Sequence, residues 1–152
     1  MEIKRILFFD DEKFITELII ENLQKNYGWL KEEFGEITYV QTPKELFEKA
    51  EDKRIKYDLF VLDIMVPIDQ INQIEKPGFF SEEEIDRMQE GDNTGVVFAE
   101  KLRSMPNYTN VPILFLSARI QPSQMMENTD YLEKPPFAEV VSEKMKKMLK
   151  IS

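Results

Sequence analysis

The 152-residue sequence contains no cysteine and no histidine. The missing cysteine excludes disulfides, zinc–thiolate sites and thiol nucleophiles, and the missing histidine removes the commonest general base and metal ligand. No apolar run approaches the roughly 20 residues that a membrane span needs, and the short N-terminal apolar run ends in acids, unlike a signal peptide. Any chemistry must therefore depend on carboxylates, hydroxyls and lysines, and we expect a cytoplasmic location.

Basic charge is also scarce, with 20 lysines and arginines against 29 acidic residues, a net charge of −9. A nucleic-acid-binding surface should be basic, so nucleic acid is not expected as a partner, and neither is an anionic membrane surface. The apolar share of 42% and charged share of 32% are typical of a soluble globular protein. The length fits one domain, and we expect residues 1–152 to form it.

Short apolar runs alternate with amphipathic segments along the chain, an order that predicts an α/β fold with a parallel sheet and helices on both faces. The predicted strands cover 3–9, 37–40, 57–62, 111–116 and 131–132. The first predicted helix covers 13–26, with Ile15, Leu18, Ile19 and Leu23 as its core face. The last begins at Pro135-Pro136 and has as its core face Phe137, Val140, Val141, Met145 and Met148.

The segment 64–93 interrupts this alternation. It contains eight acidic and two basic residues and no apolar strand. One helix is predicted inside it, because Ser81 and Glu84 have the spacing of a capping box and Gly91 is a plausible C-terminal stop. A further helix is predicted from Thr94 to near Pro106, and Thr42 is predicted to cap a helix that starts at Pro43.

Polar residues follow four of the predicted strands at the point where each strand ends. They are Asp10-Asp11-Glu12, Asp63, Ser117 and Lys134. The carboxyl ends of parallel strands form the ligand crevice of such sheets, so these side chains should converge. Clustered carboxylates repel one another and need a cation, for which Mg²⁺ is the best fit and Mn²⁺ an alternative. Because a carboxylate can attack phosphorus, the set predicts phosphoryl transfer to Asp63.

Four sequence pieces resemble one known family: FFDDE at 8–12, VLDIMVP at 61–67, LFLSAR at 114–119 and YLEKP at 131–135. In this order, each at a strand end, they are similar to the receiver domain of response regulators, the CheY-like module of two-component signalling. The resemblance implies a flavodoxin-like, doubly wound sheet of five parallel strands in the order 2-1-3-4-5.

The resemblance also implies individual roles. Asp63 would be the phosphoacceptor, Lys134 would contact the phosphoryl group, Ser117 would be the switch hydroxyl and Tyr131 the aromatic that turns inward on activation. Asp10 and Asp11 would bind Mg²⁺ together with Asp63 and the main-chain carbonyl of Met65. A cis peptide bond between Lys134 and Pro135 is implied as well.

Two departures from the family stand out. The loop after the third strand is expanded by an acidic insertion at about 68–92, which is either a solvated excursion with one short helix or a lid or partner-docking element. The adjacent Phe79 and Phe80 favour some packing. The stretch from Ser117 to Lys134 is short, so the fourth helix of the family must be truncated, irregular or absent. Met65 and Arg119 are bulky at positions that tune dephosphorylation, which predicts slow self-dephosphorylation.

The resulting functional prediction is a stand-alone response-regulator receiver, since no output domain follows residue 150. It would take a phosphoryl group from a histidine kinase or a histidine phosphotransfer protein and act on a downstream target protein. It would catalyse only its own phosphorylation and dephosphorylation. The alternatives are a haloacid-dehalogenase-type phosphatase, for which Asp10-Asp11-Glu12 lacks the Asp-x-Asp pattern, and a receiver-fold binding module that is not phosphorylated.

Overall fold

A computed structural model describes residues 3–31, 35–64, 78–89, 94–117, 126–134 and 136–151. Five strands form one parallel sheet in the order β2-β1-β3-β4-β5. The strands are β1 (Lys4–Phe9), β2 (Gly35–Val40), β3 (Leu59–Asp63), β4 (Ile113–Ser117) and β5 (Thr129–Glu133). The predicted fold class and strand order are therefore confirmed.

Helices cover both faces of the sheet. Those in the described ranges are α1 (Lys13–Asn26), α2 (Gly28–Lys31), α3 (Pro43–Glu51), α4 (Glu82–Gln89), α5 (Thr94–Arg103) and α6 (Ala138–Met148), with a 3-10 turn at Pro106–Tyr108. The short α2 and the 3-10 turn were not predicted. None of these helices combines the length and the apolar character that crossing a bilayer requires.

The central strands are apolar on both sides because each side faces a helical layer. On β1, Leu7 and Phe9 belong to the core shared with α3, α4 and α5. The alternate residues Ile6 and Phe8 belong to the core shared with α1, α2 and α6. This two-sided burial explains why the strands read as continuous apolar runs in the sequence.

The predicted core face of α1 is partly wrong. Ile15 and Leu18 are about half exposed, while Thr16, Ile20 and Leu23 are buried. The helix therefore turns a face that includes a threonine toward the sheet. The buried side chain of Thr16 faces the hydroxyl of Tyr39, so its polar atom does not lie in a wholly apolar environment.

The start and core face of α6 also differ from the prediction. The helix begins at Ala138, and Phe137 and Val140 are exposed, whereas Val141, Ser142 and Met145 are buried. The indole Nε1 of Trp29 donates a hydrogen bond of 2.9 Å to the Ser142 hydroxyl. With this buried polar contact Ser142 lies on the inward face beside Val141, whereas Phe137 and Val140 lie on the surface.

Strand limits differ from the prediction by a few residues. Strands β2 and β5 are longer than predicted, and β3 and β4 begin at Leu59 and Ile113 rather than at Tyr57 and Val111. The main-chain N–H of Tyr57 donates to the Tyr108 hydroxyl, a side-chain partner outside the sheet. The fourth helix of the family would fall largely in 118–125, outside the described residues.

Both predicted helix caps are observed. The N–H of Glu45 donates to the Thr42 hydroxyl at the start of α3. At α4, the N–H of Glu84 donates to the Ser81 hydroxyl, and the N–H of Ser81 donates to the Glu84 carboxylate, which completes the capping box. The predicted stop at Gly91 lies outside the described residues.

The described part of the 64–93 segment is packed against the body of the protein. Phe80 is buried, stacks on Phe98 with ring centroids 5.8 Å apart and meets Phe47 edge-on. Met88 of α4 is buried as well. The packing favoured by the adjacent phenylalanines is thus observed, and residues 79–88 are not a fully solvated excursion. Residues 65–77 and 90–93 lie outside the described ranges.

Candidate functional site

Three carboxylates meet at the carboxyl edge of the sheet. Asp10 directly follows β1, Asp63 is the last residue of β3, and β1 and β3 are adjacent parallel strands, so their ends coincide. Carboxylate oxygens of Asp10, Asp11 and Asp63 all lie within 4.8 Å of one another. We call these three residues the strand-end cluster. The sequence prediction that they converge is met in the geometry.

Lys134 connects two members of the strand-end cluster. It directly follows β5, and its Nζ lies 2.8 Å from Asp10 Oδ2 and 3.2 Å from Asp63 Oδ1. Its side chain is only 11% exposed, and those of Asp10 and Asp63 are almost fully buried. One ammonium group thus serves two buried carboxylates on strands that are not adjacent to β5.

Asp10 has a partner at each of its polar atoms. Its N–H donates to the carbonyl of Val40, and its carbonyl accepts from the Tyr39 hydroxyl at 2.8 Å. Its Oδ1 accepts from the N–H of Glu12 at 2.9 Å, and its Oδ2 faces Lys134. These contacts fix both the backbone and the carboxylate of Asp10 before any ligand binds.

Asp63 is held in an environment that disfavours its charged form. Burial, a hydrogen bond with Asp11 and the charge of Asp10 raise the pKa of Asp63 to about 8, although Lys134 acts in the opposite direction. Burial lowers the pKa of Lys134, but Asp63 and Asp10 outweigh it, so that pKa is raised overall. The cluster as it stands carries more negative charge than one lysine offsets.

This donor set fits a hard divalent cation. The candidate ligands are carboxylate oxygens, and Mg²⁺ and Mn²⁺ prefer oxygen ligands. The separation of at most 4.8 Å lets a single ion contact all three groups. The excess of negative charge gives the ion an electrostatic reason to bind. The ligands expected for it would be Asp10, Asp11 and Asp63.

A cavity of about 210 Å³ adjoins the strand-end cluster. Asp10, Glu12 and Lys134 give it polar groups, and the remaining lining is Ile15, Thr16 and Ile19 of α1, Leu116 and Pro136. The cavity thus lies beside α1 and the segment that leads into α6.

Comparison with solved structures identifies the architecture. Vibrio cholerae chemotaxis protein CheY4 is 18% identical to this chain, with a TM-score of 0.66 over 97% of this chain and 99% of CheY4. The chain has the receiver-domain fold. The phosphorylated cyanobacterial phytochrome response regulator RcpA is similar too (19% identity, TM-score 0.63, 99% and 97% coverage). So is the receiver domain of the hybrid histidine kinase CckA (19%, 0.60, 95% and 98%). Neither protein-family models nor curated proteins give a match.

Two other predicted site residues, Ser117 and Tyr131, lie on the strands β4 and β5. Ser117 ends β4, beside Glu133 of β5 and one residue beyond the partner of Asp63; its side chain lies outside what the structure describes. Tyr131 lies on β5, half-buried against the core on the α3 side of the sheet. Met65, Arg119 and the Lys134–Pro135 peptide fall outside the described ranges.

Gly95 lies where the start of α5 closely approaches the end of β3. Its N–H donates to the carbonyl of Ile64 at 3.0 Å. A Cβ at this position would lie 2.6 Å from the main-chain oxygen of Asp63 and from Cα of Ile64. Only glycine lets the helix approach the backbone of Asp63 this closely.

Sequence reasoning missed two residues that support the site. The Tyr39 hydroxyl on β2 donates a hydrogen bond to the carbonyl of Asp10, and the buried Thr16 side chain on α1 faces that hydroxyl. Tyr39 lies one residue before the end of a strand adjacent to β1. A tyrosine so near the carboxyl edge was the available signal for a polar contact there.

Proposed function

We propose that this chain is a phosphoacceptor of two-component signalling that takes a phosphoryl group on Asp63 in the presence of Mg²⁺. The observation that carries this proposal is the strand-end cluster bridged by Lys134 at the carboxyl edge of a receiver fold. Signalling, rather than turnover of an external substrate, is the proposed outcome. The chain would act through other proteins.

The chemistry follows from the positions of the side chains. An Asp63 carboxylate oxygen would attack phosphorus, and the bond from phosphorus to the donor nitrogen would break, which leaves an aspartyl phosphate. A bound Mg²⁺ would supply positive charge that favours ionised Asp63 and neutralises phosphoryl oxygens. Lys134 would pair with another phosphoryl oxygen, and its 3.2 Å distance from Asp63 already suits that role.

Activation would shift a pre-existing equilibrium between two conformations. Ser117 ends the strand next to β3 and would hydrogen-bond the phosphoryl group, while Tyr131 on the edge strand would turn inward. The half-buried position of Tyr131 is compatible with such a movement, since a fully buried ring could not change its environment in this way. These two roles rest on the resemblance to receivers.

Exposed apolar side chains on the two segments that follow Asp10-Asp11 and Lys134 in the chain favour a protein donor. They lie on α1 and around the start of α6, and are Phe14, Ile15, Leu18, Phe137 and Val140. Phe14 and Phe137 are 78% and 81% exposed. Such a patch is typical of a protein-binding surface. Because this chain has no histidine, the phosphohistidine must come from a histidine kinase or a histidine phosphotransfer protein.

Small-molecule labelling tests the proposed acceptor directly. After incubation with acetyl phosphate and Mg²⁺, intact-mass measurement should show a gain of one phosphoryl group. Asp63→Ala should abolish the gain, whereas Asp86→Ala, which removes an exposed carboxylate from α4, should not. Hydroxylamine should release the label as expected for an acyl phosphate. Undiminished labelling of Asp63→Ala would refute the assignment.

The same preparation tests the predicted slow self-dephosphorylation. After removal of acetyl phosphate, the phosphorylated mass should persist well beyond seconds, because Met65 offers no polar group to orient a water. A half-life of seconds would contradict this prediction.

The two alternatives give different results. A haloacid-dehalogenase-type phosphatase would release phosphate from a generic ester over many turnovers, with the nucleophile at Asp10 or Asp11. The engagement of both Asp10 carboxylate oxygens by Glu12 and Lys134 argues against that role. A binding module that is not phosphorylated would work normally in the cell as Asp63→Ala.

A further inference from the structure

Strand β2 contributes no carboxylate to the strand-end cluster, yet it contacts Asp10 twice. The N–H of Asp10 donates to the carbonyl of Val40 at 3.3 Å, and the carbonyl of Asp10 accepts from the Tyr39 hydroxyl at 2.8 Å. The first contact continues the ladder between β1 and β2. The second uses a side chain and is made where the ladder ends.

The second contact acts on the peptide unit between Asp10 and Asp11. Because a peptide unit is planar, a fixed direction of the Asp10 carbonyl also fixes the amide nitrogen of Asp11. The hydrogen bond from Tyr39 therefore helps to fix the main chain of Asp11, from which its carboxylate extends. Asp11 is the least buried member of the cluster, and none of the described salt bridges involves it.

The Tyr39 side chain has further neighbours. The buried Thr16 side chain of α1 faces its hydroxyl. The Tyr39 ring packs edge-on against Phe8, with ring centroids 6.5 Å apart. The hydroxyl is thus placed as a donor to the Asp10 carbonyl.

We propose that Tyr39 is a positioning residue for the divalent cation, because its hydroxyl orients the Asp10–Asp11 peptide and so holds the two carboxylates in a cation-binding arrangement. This inference rests on the proposed function, which includes the cation. It extends the site from the strand ends to a side chain on β2 and a hydroxyl on α1. Hydrogen bonds behind metal ligands commonly affect metal affinity by 10- to 100-fold.

The test compares Tyr39→Phe with the wild type in calorimetric titrations with Mg²⁺ and with Mn²⁺. The variant keeps the ring against Phe8 and loses only the donor, so we expect affinity to fall about tenfold, the lower end of that range, since the bond reaches the backbone of a ligand. Raising Mg²⁺ should restore labelling by acetyl phosphate to the wild-type extent. This rescue would separate a positioning role from a general loss of structure.

Tyr108→Phe is the matched control. The Tyr108 hydroxyl accepts a hydrogen bond from the N–H of Tyr57. Tyr57 lies just before β3, at the amino ends of the strands and so opposite the strand-end cluster. This variant should lose stability in urea titrations followed by Trp29 fluorescence and keep its cation affinity. Equal affinities of Tyr39→Phe and the wild type, or equal losses in both variants, would overturn the positioning role alone. A wild type that binds neither cation would overturn the proposed cation site as well.

Thr16→Val provides a second variant, which changes the polar side chain that faces the Tyr39 hydroxyl. It is nearly isosteric and leaves the hydrogen bond from Tyr39 to Asp10 in place, so cation affinity should fall by less than in Tyr39→Phe. Unchanged stability with a smaller loss of affinity would support an effect of Thr16 through Tyr39. A larger loss than in Tyr39→Phe would contradict it.

Discussion

Acidic side chains are concentrated in two regions that differ in how far the carboxylates are buried. The first turn of α4 contains three, which are exposed or half-buried at the start of a helix, where negative charge is favourable: Glu82, Glu83 and Glu84. The strand-end cluster contains three that converge, and two of them are almost fully buried. The number of acids is the same, so burial and convergence distinguish the candidate site from the solvated helix.

The cations are distributed differently in the two regions. Around α4, separate cations face separate acids: Lys101 lies 3.6 Å from Glu84, and Arg87 forms two hydrogen bonds with Glu100. In the strand-end cluster, Lys134 serves both Asp10 and Asp63. Each cation around α4 therefore faces its own acid and the other acids of that helix are exposed to solvent, whereas the buried acids of the cluster share one lysine. The uncompensated negative charge of the cluster is what suits it to a cation.

The largest expected effect comes from the lysine of the strand-end cluster. Lys134→Met keeps much of the aliphatic length and removes the charge, so we expect the rate of labelling by acetyl phosphate to fall about 100-fold or more, as when one stabiliser of a transition-state oxygen is lost. Lys144→Met is the control, because it removes an ammonium that pairs with Asp130 on the surface. A rate within threefold of the wild type would mean that Lys134 is structural only.

The next effect concerns how α4 is attached. Phe80→Ala should lower the free energy of unfolding by about 3 kcal/mol, because it empties a buried aromatic position between Phe47 and Phe98. Ile85→Ala, at an exposed position of the same helix, should cost well under that amount. Urea titrations followed by fluorescence measure both. Equal small losses would mean that the α4 region adds little to the core.

The sheet was predictable because its strands are apolar on both sides. Continuous runs such as 3–9 can be read without knowing which helix covers them, and the polar residues that stop them mark the carboxyl edge. Asp10, Asp63 and Lys134 could be assigned to one site for this reason. The order of the strands came from the resemblance, and the solved structures with the receiver fold agree with it.

The buried faces of the helices were harder to predict. On α1 and α6 the inward positions include Thr16 and Ser142, and several apolar residues face solvent. Apolar periodicity assumes that polar side chains point outward, and it fails where a buried hydroxyl finds a partner on another element. The Tyr39 contact escaped prediction for the same reason, since it joins residues 29 positions apart.

A smaller expected effect is the pH dependence of stability that arises from the strand-end cluster. The native-state pKa of Asp63 is raised to about 8 from an ordinary value of 3.8, so between these values the native state retains a proton that the unfolded state has released. Stability of the metal-free protein should therefore fall as pH rises from about 4 to 8. The sequence has no histidine or cysteine, so no side chain with an ordinary pKa between 5 and 8 obscures the slope.

Asp63→Asn should remove most of that slope. At pH 8 without metal, we expect the variant to be more stable than the wild type, because the amide has no proton to release as the pH rises. At pH 4 the two should be equal. Mg²⁺ should stabilise the wild type at pH 8 more than the variant. A stability that rises from pH 5 to 8 in the wild type would contradict the raised pKa.

The smallest expected effect concerns the exposed charges around α4. Glu100→Gln breaks the pair with Arg87, in which both side chains are 37% exposed, and should cost only about 0.5 kcal/mol, because exposed ion pairs contribute little. Salt screens such pairs, so the cost should shrink further in 1 M NaCl, as measured by paired urea titrations. Phosphorylation of Asp63 should be unchanged, since α4 would be attached through its buried aromatic and Met88 contacts. A cost above about 2 kcal/mol that persists at high salt would mean that this charge pair, rather than apolar packing, holds α4 in place.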